Sequence, residues 1–307
     1  TIELAKKLIK LKTDVDINLD LNKYIIGKRD ESRLSELASK YELKNSTYYY
    51  SIEENQKKEN KKSSYSLIDS EEGLIKLIAN LKKYKVFSFD TETTSLNAME
   101  AQLVGVSFSF KEQEAFYIPI NHDDSNGNLK IEKDKFYDYL RELFSNKDIK
   151  VIGQNLKYDA HVLANIDISL NGIIDDTMLK SYCLNSVASR HNMDDLALHY
   201  LGHKTIHYAD VAGSGKKQLT FNQVDISEAM PYACEDVIVT NELNNVLESR
   251  LQDYPKVMLL YKSIEIPLIK IMLKLERNGA FVDETSLFKQ QIEVKAEMMK
   301  IQTEAYE

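Results

Sequence analysis

The stretch that most restricts the fold is VFSFDTETTSL, residues 86–96, because an apolar run of strand length ends in two carboxylates one residue apart. Alternate residues of a strand share a face, so Asp90 and Glu92 are predicted to point the same way and to converge on one spot. In α/β sheets, the carboxyl end of a strand is where ligands bind. The alternative is an ordinary strand-end turn in which Asp90 acts as a cap and Glu92 is solvated. The D-x-E pattern alone does not decide between them.

Two further acids interrupt the apolar stripes of predicted helices. In NLKYDAHVLAN, Leu156, Asp159 and Leu163 recur at helical spacing, so Asp159 is predicted to lie on the buried face. In PYACEDVIVTNEL, the four-residue step from Tyr232 to Asp236 places the phenol hydroxyl beside the carboxylate. An acid on a buried face has to be paired or bound to metal.

These acids together predict a site for divalent metal. Buried carboxylates that gather in one place repel one another and raise one another's pKa values, so a cation is needed. An oxygen-only set of ligands, without Cys or His, favours Mg²⁺ or Mn²⁺ over Zn²⁺. Two such ions about 4 Å apart can hold the attacking and leaving oxygens of an in-line phosphoryl displacement.

The composition predicts a globular protein without a membrane segment. The 307 residues are 43% hydrophobic and 29% charged, and no apolar run approaches the roughly 20 residues that span a bilayer. There is no signal-peptide pattern, and Cys183 and Cys234 lie far apart without a C-x-x-C partner, so a reducing, cytoplasmic location is expected. The net charge of −8 argues against a nucleic-acid binder unless phosphate is held through metal.

The order of patterns along the chain predicts a mixed sheet covered by helices. The polar residues 51–68 predict a linker and a domain boundary. KVFSFD, a hairpin of LVGVSFSF and AFYIPI, and IKVIGQ are predicted strands. The predicted helices are EEGLIKLIANLKKY, KDKFYDYLRELFS, NLKYDAHVLANI, NMDDLALHYLG with Asn192 and Gly202 as caps, DISEAMPYACEDVIVTNELNNVLESRL and SIEIPLIKIMLKLERNG. The last helical pattern has no stop signal, so truncation at both ends is expected.

The motifs resemble a known family. D-x-E on a strand, N-x-x-x-D on a later helix and Y-x-x-x-D on a third element resemble the tyrosine subclass of the DEDD exonuclease superfamily. FDTETTSL, GQNLKYD, DTML, QLTFNQ and YACEDV, in this order, are similar to the 3′-5′ proofreading region of bacterial DNA polymerase I, family A, from about residue 70 to residue 252. The resemblance implies three regions: the end of a 5′-nuclease region with its linker (1–58), an exonuclease domain (59–252) and the start of a polymerase domain (253–307).

The resemblance also implies the fold and the roles of particular residues. The fold is a ribonuclease-H-like, α/β mixed sheet of five strands flanked by helices. Asp90, Glu92, Asp159 and Asp236 hold two metal ions, Mg²⁺ or Mn²⁺, and Tyr232 orients the attacking water. The implied DNA contacts are Leu96 and Phe221 against the terminal bases, Asn155 and Tyr158 by the terminal nucleotide, and Gln154 and Arg190 near the phosphate backbone. For Leu96 and Phe221, packing in the core is the alternative.

The implied activity is hydrolysis of the 3′-terminal phosphodiester of single-stranded or frayed DNA, releasing nucleoside monophosphates. The expected protein is a monomer, associated with the bacterial nucleoid and joined in full length to 5′-nuclease and polymerase domains, whereas polymerase activity is not expected from these residues. One alternative is an RNA-trimming exonuclease of the same superfamily, which the polymerase-like flanks disfavour. The other is an inert DNA-binding scaffold, which the intact set of site residues disfavours.

Three other patterns are set aside. His199, His203 and His207 stand four residues apart, but Gly202 is expected to end the helix before they form a metal-binding face. AGSGKK, residues 212–217, lacks the first Gly and the Ser/Thr of a P-loop and predicts a mobile basic loop. The NST at residues 45–47 fits a glycosylation pattern, which has no meaning in the cytosol.

Overall fold

The structure is a computed structural model that describes residues 2–11, 63–124, 127–187 and 190–306, together with residues 14, 30, 33 and 37. The chain divides into two compact units, Thr1–Glu54 and Asn55–Glu307. In the first unit, helix α1 spans Ile2–Ile9 and has no buried residue. The NST pattern and residues 51–62 of the predicted linker lie outside the described residues.

A six-stranded mixed sheet forms the centre of the second unit, with strand order β1-β4-β3-β2-β5-β6. The strands are β1 (Ser64–Leu67), β2 (Val86–Thr93), β3 (Leu103–Lys111), β4 (Glu114–Pro119), β5 (Lys150–Gly153) and β6 (Ile173–Asp176). β2, β3 and β4 pair antiparallel, which confirms the predicted hairpin. β1 is parallel to β4, and β5 is parallel to both β2 and β6.

Helices cover both faces of this sheet. The helices of this unit are α2 (Glu71–Tyr84), α3 (Lys133–Ser145), α4 (Leu156–Ala164), α5 (Thr177–Leu184), α6 (Met193–Leu196), α7 (Tyr208–Ala212), α8 (Ile226–Gln252), α9 (Pro255–Leu260), α10 (Ile266–Asn278) and α11 (Glu284–Tyr306), of which α9 and α11 have no buried residue. π-helical turns follow α6 (Ala197–Leu201) and α9 (Tyr261–Glu265). Among the described residues, no helix is both long and apolar enough to cross a membrane.

Strand β2 shows how the sequence divides the core between the two faces. Phe87 and Phe89 are each 1% exposed and pack with residues of α2 and α3 in the larger apolar cluster. Ser88 points to the opposite face, where its Oγ donates a hydrogen bond to the carbonyl of Val237 in α8 at 2.7 Å. The period of two in a strand therefore sends the aromatic residues to one face and the polar residues to the other.

The predicted number of strands was five, and the structure has six. Neither β1 nor β6 is among the four strands predicted from sequence patterns, and β1 lies in the stretch predicted to be linker. Its sequence, SYSL, is short and polar, and it forms only as a parallel edge strand along β4, with Ser64 opposite Glu114. A pattern of four residues with two serines carries no strand signal of its own, because the pairing partner supplies the stability.

Several predicted helix ends are confirmed. The Asn192 side chain accepts a hydrogen bond from the Asp195 N–H as the cap of α6. Gly202 adopts the left-handed conformation (φ 64°) and ends the π-helical turn that contains His199. The three histidines therefore do not share one helix face: His203 contacts Glu235, and His207 lies outside that helix.

Candidate active site

Asp90 and Glu92 occupy the face of β2 that points toward α8. The hydrogen bond from Ser88 to Val237 holds the strand against this helix, which brings Asp236 next to the strand. One carboxylate oxygen from each of Asp90, Glu92 and Asp236 lies within 4.8 Å of the others. The predicted convergence of the D-x-E acids is thus confirmed, and a third acid joins them.

Asp159 lies on α4, beside these three acids. It is 2% exposed, which confirms its predicted place on the buried face of the helix. Its Oδ1 accepts hydrogen bonds from the backbone N–H of Thr91 at 3.0 Å and from the Thr91 hydroxyl at 2.7 Å. Asp159 is therefore fixed to β2 midway between Asp90 and Glu92, although it is not a member of the three-acid group.

The turn before α4 explains why this helix can approach the strands so closely. A Cβ on Gly153 would come within 2.4 Å of a Leu156 methyl group, so any larger residue would force the buried Leu156 side chain to move. Asn155 precedes the helix in the left-handed conformation (φ 62°), which asparagine tolerates better than most residues. The GQN turn thus folds tightly enough to place the first turn of α4 against the site.

The electrostatics of the four acids are unfavourable in the absence of a cation. Burial is the main cause that raises the pKa of each acid well above its ordinary value. Mutual repulsion adds to this: Asp236 acts on Asp90, and Asp90 acts on both Glu92 and Asp159. For Asp236 the next cause after burial is Glu235. A positive charge at this position would remove the repulsion.

The donor set fits a hard divalent cation. Glu92 is 7% exposed, and its Oε1 is buried without a hydrogen-bond partner. A buried oxygen without a partner costs free energy unless something coordinates it. Carboxylate oxygens alone are the ligands that Mg²⁺ and Mn²⁺ prefer. Among the described residues, Asp90, Glu92 and Asp236 are the one group of three His, Cys, Asp or Glu side chains with this close spacing.

Tyr232 lies one helical turn before Asp236. The two residues are four apart on α8, so they share one face of the helix, as predicted from the spacing. Burial first, and then Asp236, raise the pKa of the Tyr232 phenol. The ring packs against Phe221, with centroids 5.8 Å apart. Tyr232 is therefore a buried, neutral phenol that aromatic packing holds on the same helix face as Asp236.

Leu96 and Phe221, which are predicted to contact the terminal bases, differ in exposure. Leu96 is 98% exposed and is free to meet a base. Phe221 is 1% exposed and packs beside Tyr208 and Tyr232 in an apolar cluster, as the core-packing alternative describes. Its contact with DNA stays a prediction.

The other residues with predicted DNA contacts have different surroundings. Tyr158 donates from its hydroxyl to the Ser95 carbonyl at 2.5 Å and also contacts the Thr93 hydroxyl at 2.5 Å. Gln154 donates to the His191 carbonyl at 2.8 Å. Arg190 is exposed. Tyr158 thus ties α4 to the end of β2, just before Leu96.

Thr91 and Asp176, which are not among the predicted site residues, help to build the site. Thr91 holds Asp159 through both its N–H and its hydroxyl. Asp176 is 1% exposed and accepts from the Leu156 N–H at 2.8 Å and the Leu179 N–H at 3.1 Å, so one carboxylate caps both α4 and α5. The Asp-Thr pair at 176–177 is a recognisable N-cap signal for α5, but its second partner depends on the tertiary fold.

Comparison with known proteins identifies the family. A family model described as 3′-5′ exonuclease matches residues 65–252, which include all four acids and Tyr232. The chain belongs to this 3′-5′ exonuclease family. The resemblance inferred from the motifs is thereby confirmed.

The curated relatives that match this chain are DNA polymerases. DNA polymerase I of Pseudomonas aeruginosa is 38% identical over 99% of this chain and 34% of its own length. DNA polymerase I of Borreliella burgdorferi is 36% identical over 73% of this chain and 24% of its own length. The chain thus spans about a third of the length of the Pseudomonas relative and about a quarter of the length of the Borreliella relative.

Solved structures of similar fold are nucleases and polymerases. The POL domain of Pol1 from M. smegmatis, in complex with DNA primer-template and dNTP, aligns with a TM-score of 0.60 at 18% identity, over 76% of this chain and 36% of that chain. Brucella melitensis NrnC bound to pGG aligns with a TM-score of 0.51 at 18% identity, over 72% of this chain and 97% of that chain. At these identities the likeness shows the fold alone, and it confirms the ribonuclease-H-like expectation.

These findings make the matched residues a 3′-5′ exonuclease domain of the DNA polymerase I type. The RNA-trimming alternative is not favoured, because the family model and the curated relatives both point to the polymerase type. The roles of individual site residues and the three domain boundaries remain predictions.

Proposed function

We propose that this chain removes nucleotides one at a time from the 3′ end of single-stranded or frayed DNA and releases nucleoside monophosphates. The observation that carries the proposal is the convergence of Asp90, Glu92 and Asp236 within 4.8 Å, with Glu92 Oε1 buried and without a partner. Such a cluster is stable in the charged form only with cations bound, and it lies within the matched exonuclease region.

In this proposal the four acids hold two divalent ions, Mg²⁺ or Mn²⁺. Such ions, when bound, lower the pKa of a water molecule and stabilise the charge on the leaving 3′ oxygen. The chain's own contribution is to fix a ligand before substrate arrives: Thr91 holds Asp159 through both its N–H and its hydroxyl. Little reorganisation is then needed during the reaction, which is the main source of electrostatic catalysis.

Tyr232 has the role of orienting the attacking water. A phenol with an ordinary pKa near 10 is already a poor general base at neutral pH, and burial beside Asp236 raises this pKa further. The hydroxyl therefore keeps its proton and acts through hydrogen bonds. Leu96, exposed at the rim, would stack on the terminal base and align the last phosphodiester with the acids.

The whole-protein role that we propose is proofreading. In this proposal residues 1–58 belong to a 5′-nuclease region, 59–252 to the exonuclease domain and 253–307 to the start of a polymerase domain. A mismatched primer end frays more readily than a paired one and so reaches the site more often. The proposal includes a monomer in a cytoplasmic, nucleoid-associated setting, and the named relatives are DNA polymerases I of bacteria.

The deciding experiment uses single-stranded DNA labelled at its 3′ end, incubated with the chain in Mg²⁺ or in EDTA. We expect labelled mononucleotide to appear only with Mg²⁺. RNA of the same sequence tests the RNA-trimming alternative, which a faster release from RNA would favour. Binding of the labelled DNA without any release in Mg²⁺ or Mn²⁺ would contradict the proposal and support the inert scaffold.

A further inference from the structure

Helix α4 carries Tyr158 and Asp159, and it is held from two sides. On one side Thr91 of β2 binds Asp159, and Tyr158 contacts the end of the same strand. On the other side lies α10, Ile266–Asn278. This second helix falls outside residues 65–252, so its contacts with α4 are not part of the matched exonuclease region.

Glu276 of α10 binds two side chains in the middle of α4. Its carboxylate accepts from Lys157 Nζ at 2.5 Å and from His161 Nε2 at 2.7 Å. These two residues are four apart, so they share one face of α4, while Asp159 lies between them and points to β2. His161 is 3% exposed, whereas the Glu276 side chain is 29% exposed, so the contact is buried on the side of α4.

Arg277 holds the C-terminal end of the same helix. Its Nη1 donates to the His161 carbonyl at 3.3 Å and to Asn165 Oδ1 at 3.0 Å, and its Nη2 donates to the Ala164 carbonyl at 3.4 Å. The last carbonyls of a helix lack partners within it and carry partial negative charge. A guanidinium at this position adds donors to the His161 and Ala164 carbonyls, which also accept from backbone N–H groups, and so stabilises the end of α4.

The N-terminal end of α4 is held indirectly. Asp176 caps it through the Leu156 N–H, and the N–H of Asp176 itself donates to the hydroxyl of Tyr261 at 2.9 Å. Tyr261, in the π-helical turn before α10, is 0% exposed. Thus the start, middle and end of α4 each depend on a side chain from residues 261–277.

We propose that Glu276, Arg277 and Tyr261 are positioning residues of the exonuclease site, which act by holding α4 so that Asp159 stays in place beside the other acids. This inference rests on the proposed function, in which Asp159 is a metal ligand. Misplacement of a reacting group by about 1 Å can cost about a hundredfold in rate. The segment that follows the exonuclease domain would therefore set the rate of cleavage without touching substrate.

The test compares Glu276→Ala, Arg277→Ala and the milder Glu276→Gln with Lys274→Ala, a matched change at an exposed position of the same helix. The first readout is the single-turnover cleavage rate of single-stranded DNA at saturating Mg²⁺. The second is hydrogen–deuterium exchange of the α4 amides in EDTA, with the amides of α3 as an internal reference. The second readout does not depend on catalysis.

We expect Glu276→Ala and Arg277→Ala to slow cleavage by about 5- to 50-fold and to speed exchange in α4 but not in α3. Glu276→Gln keeps an acceptor for one of the two α4 partners and should fall between wild type and Glu276→Ala, and Lys274→Ala should match wild type. Wild-type cleavage together with unchanged α4 exchange in Glu276→Ala and Arg277→Ala would overturn the inference. So would slow cleavage with unchanged α4 exchange, or faster exchange throughout the domain, since neither is a local effect on α4.

Failure of the proposed function gives a different pattern. In that case the wild-type chain itself releases no nucleotide, and α4 exchange alone decides whether residues 261–277 hold the helix. Faster exchange confined to α4 in Glu276→Ala and Arg277→Ala would support the inference, and unchanged exchange would overturn it.

Discussion

At the scale of single residues, Asp159 offers a sharp test of the metal site. Asp159→Ala removes a proposed ligand, so we expect cleavage to fall by at least about a hundredfold. The fold should persist, because the loss of the hydrogen bonds with Thr91, each worth about 1 kcal/mol, is partly offset by relief of repulsion on Glu92. The measurements are single-turnover cleavage and urea unfolding.

The control for this variant is Asp138→Ala, which removes an exposed acid from an i,i+3 pair with Arg141 and should leave cleavage unchanged. Retention of more than about a tenth of the wild-type rate in Asp159→Ala would count against a role in a two-metal site, because electrostatic contributions of this kind are worth orders of magnitude.

Tyr232 tests the orientation of the attacking water. Tyr232→Phe should slow cleavage by about tenfold to a thousandfold, the effect of losing an orienting hydrogen bond, while metal affinity stays nearly constant because the carboxylates remain. The measurement is single-turnover cleavage across a Mg²⁺ titration, with the exposed Tyr254→Phe as control. If high Mg²⁺ removes the whole deficit, Tyr232 serves the metal site instead.

At this scale the sequence predicts which side chains lie at the site better than it predicts which side chains contact one another. The position of Asp159 on a buried face follows from helical spacing, and the structure confirms it. Its partner Thr91 is invisible in the sequence, because the contact joins two elements 68 residues apart. Two other contacts are not predictable for the same physical reason. They are the capping of two helices by Asp176 and the hydrogen bond between Glu276 and His161 of α4.

At the scale of elements, helix α8 links Tyr232 and Asp236 to the core, and Cys234 reports whether this helix opens. Cys234 is 0% exposed, and burial raises the pKa of its thiol to about 12. Only about 10⁻⁴ of it would be thiolate at pH 8, so reaction with a thiol reagent should be very slow and should rise about tenfold for each pH unit up to the pKa. Burial likewise raises the pKa of Cys183 to about 11.

The measurement is labelling of Cys183→Ser, which leaves Cys234 as the one cysteine of the chain. We expect almost no reaction in the native protein at pH 8 and full reaction in urea. Labelling of native Cys234 at the rate of an exposed cysteine would show that α8 opens readily, contrary to the tight packing against the sheet.

The elements that the sequence predicts well are those with a long, regular pattern. α8 and the β3–β4 hairpin are clear from periodicity, and the structure confirms both. The short strands β1 and β6 have four residues each, and no strand was predicted from either pattern. Edge strands of this length gain their stability from pairing with a neighbour, and a single sequence does not reveal the neighbour.

At the scale of the whole molecule, net charge and burial bear on which DNA ends the proposed exonuclease would accept. The chain carries a net charge of −8, which opposes the approach of a long duplex. Glu92 and Asp159 are 7% and 2% exposed, so the terminal phosphodiester has to reach a recessed site. A single strand can bend into such a site, whereas a paired end has to melt first.

This contrast leads to a prediction about strand preference. Unstacking costs roughly 1.4 kcal/mol per base-pair step, which is about tenfold in the population of open ends. We therefore expect single-stranded DNA to be degraded at least about ten times faster than a blunt duplex of the same sequence at the same salt. The measurement is release of 3′-terminal label, with a duplex carrying three mismatched 3′-terminal bases as the matched control. That duplex has the same length and nearly the same charge, so it should approach the single-strand rate if melting limits cleavage. Equal rates on the blunt duplex and the single strand would show that the site accepts paired ends, and the proposed dependence on frayed ends would be wrong.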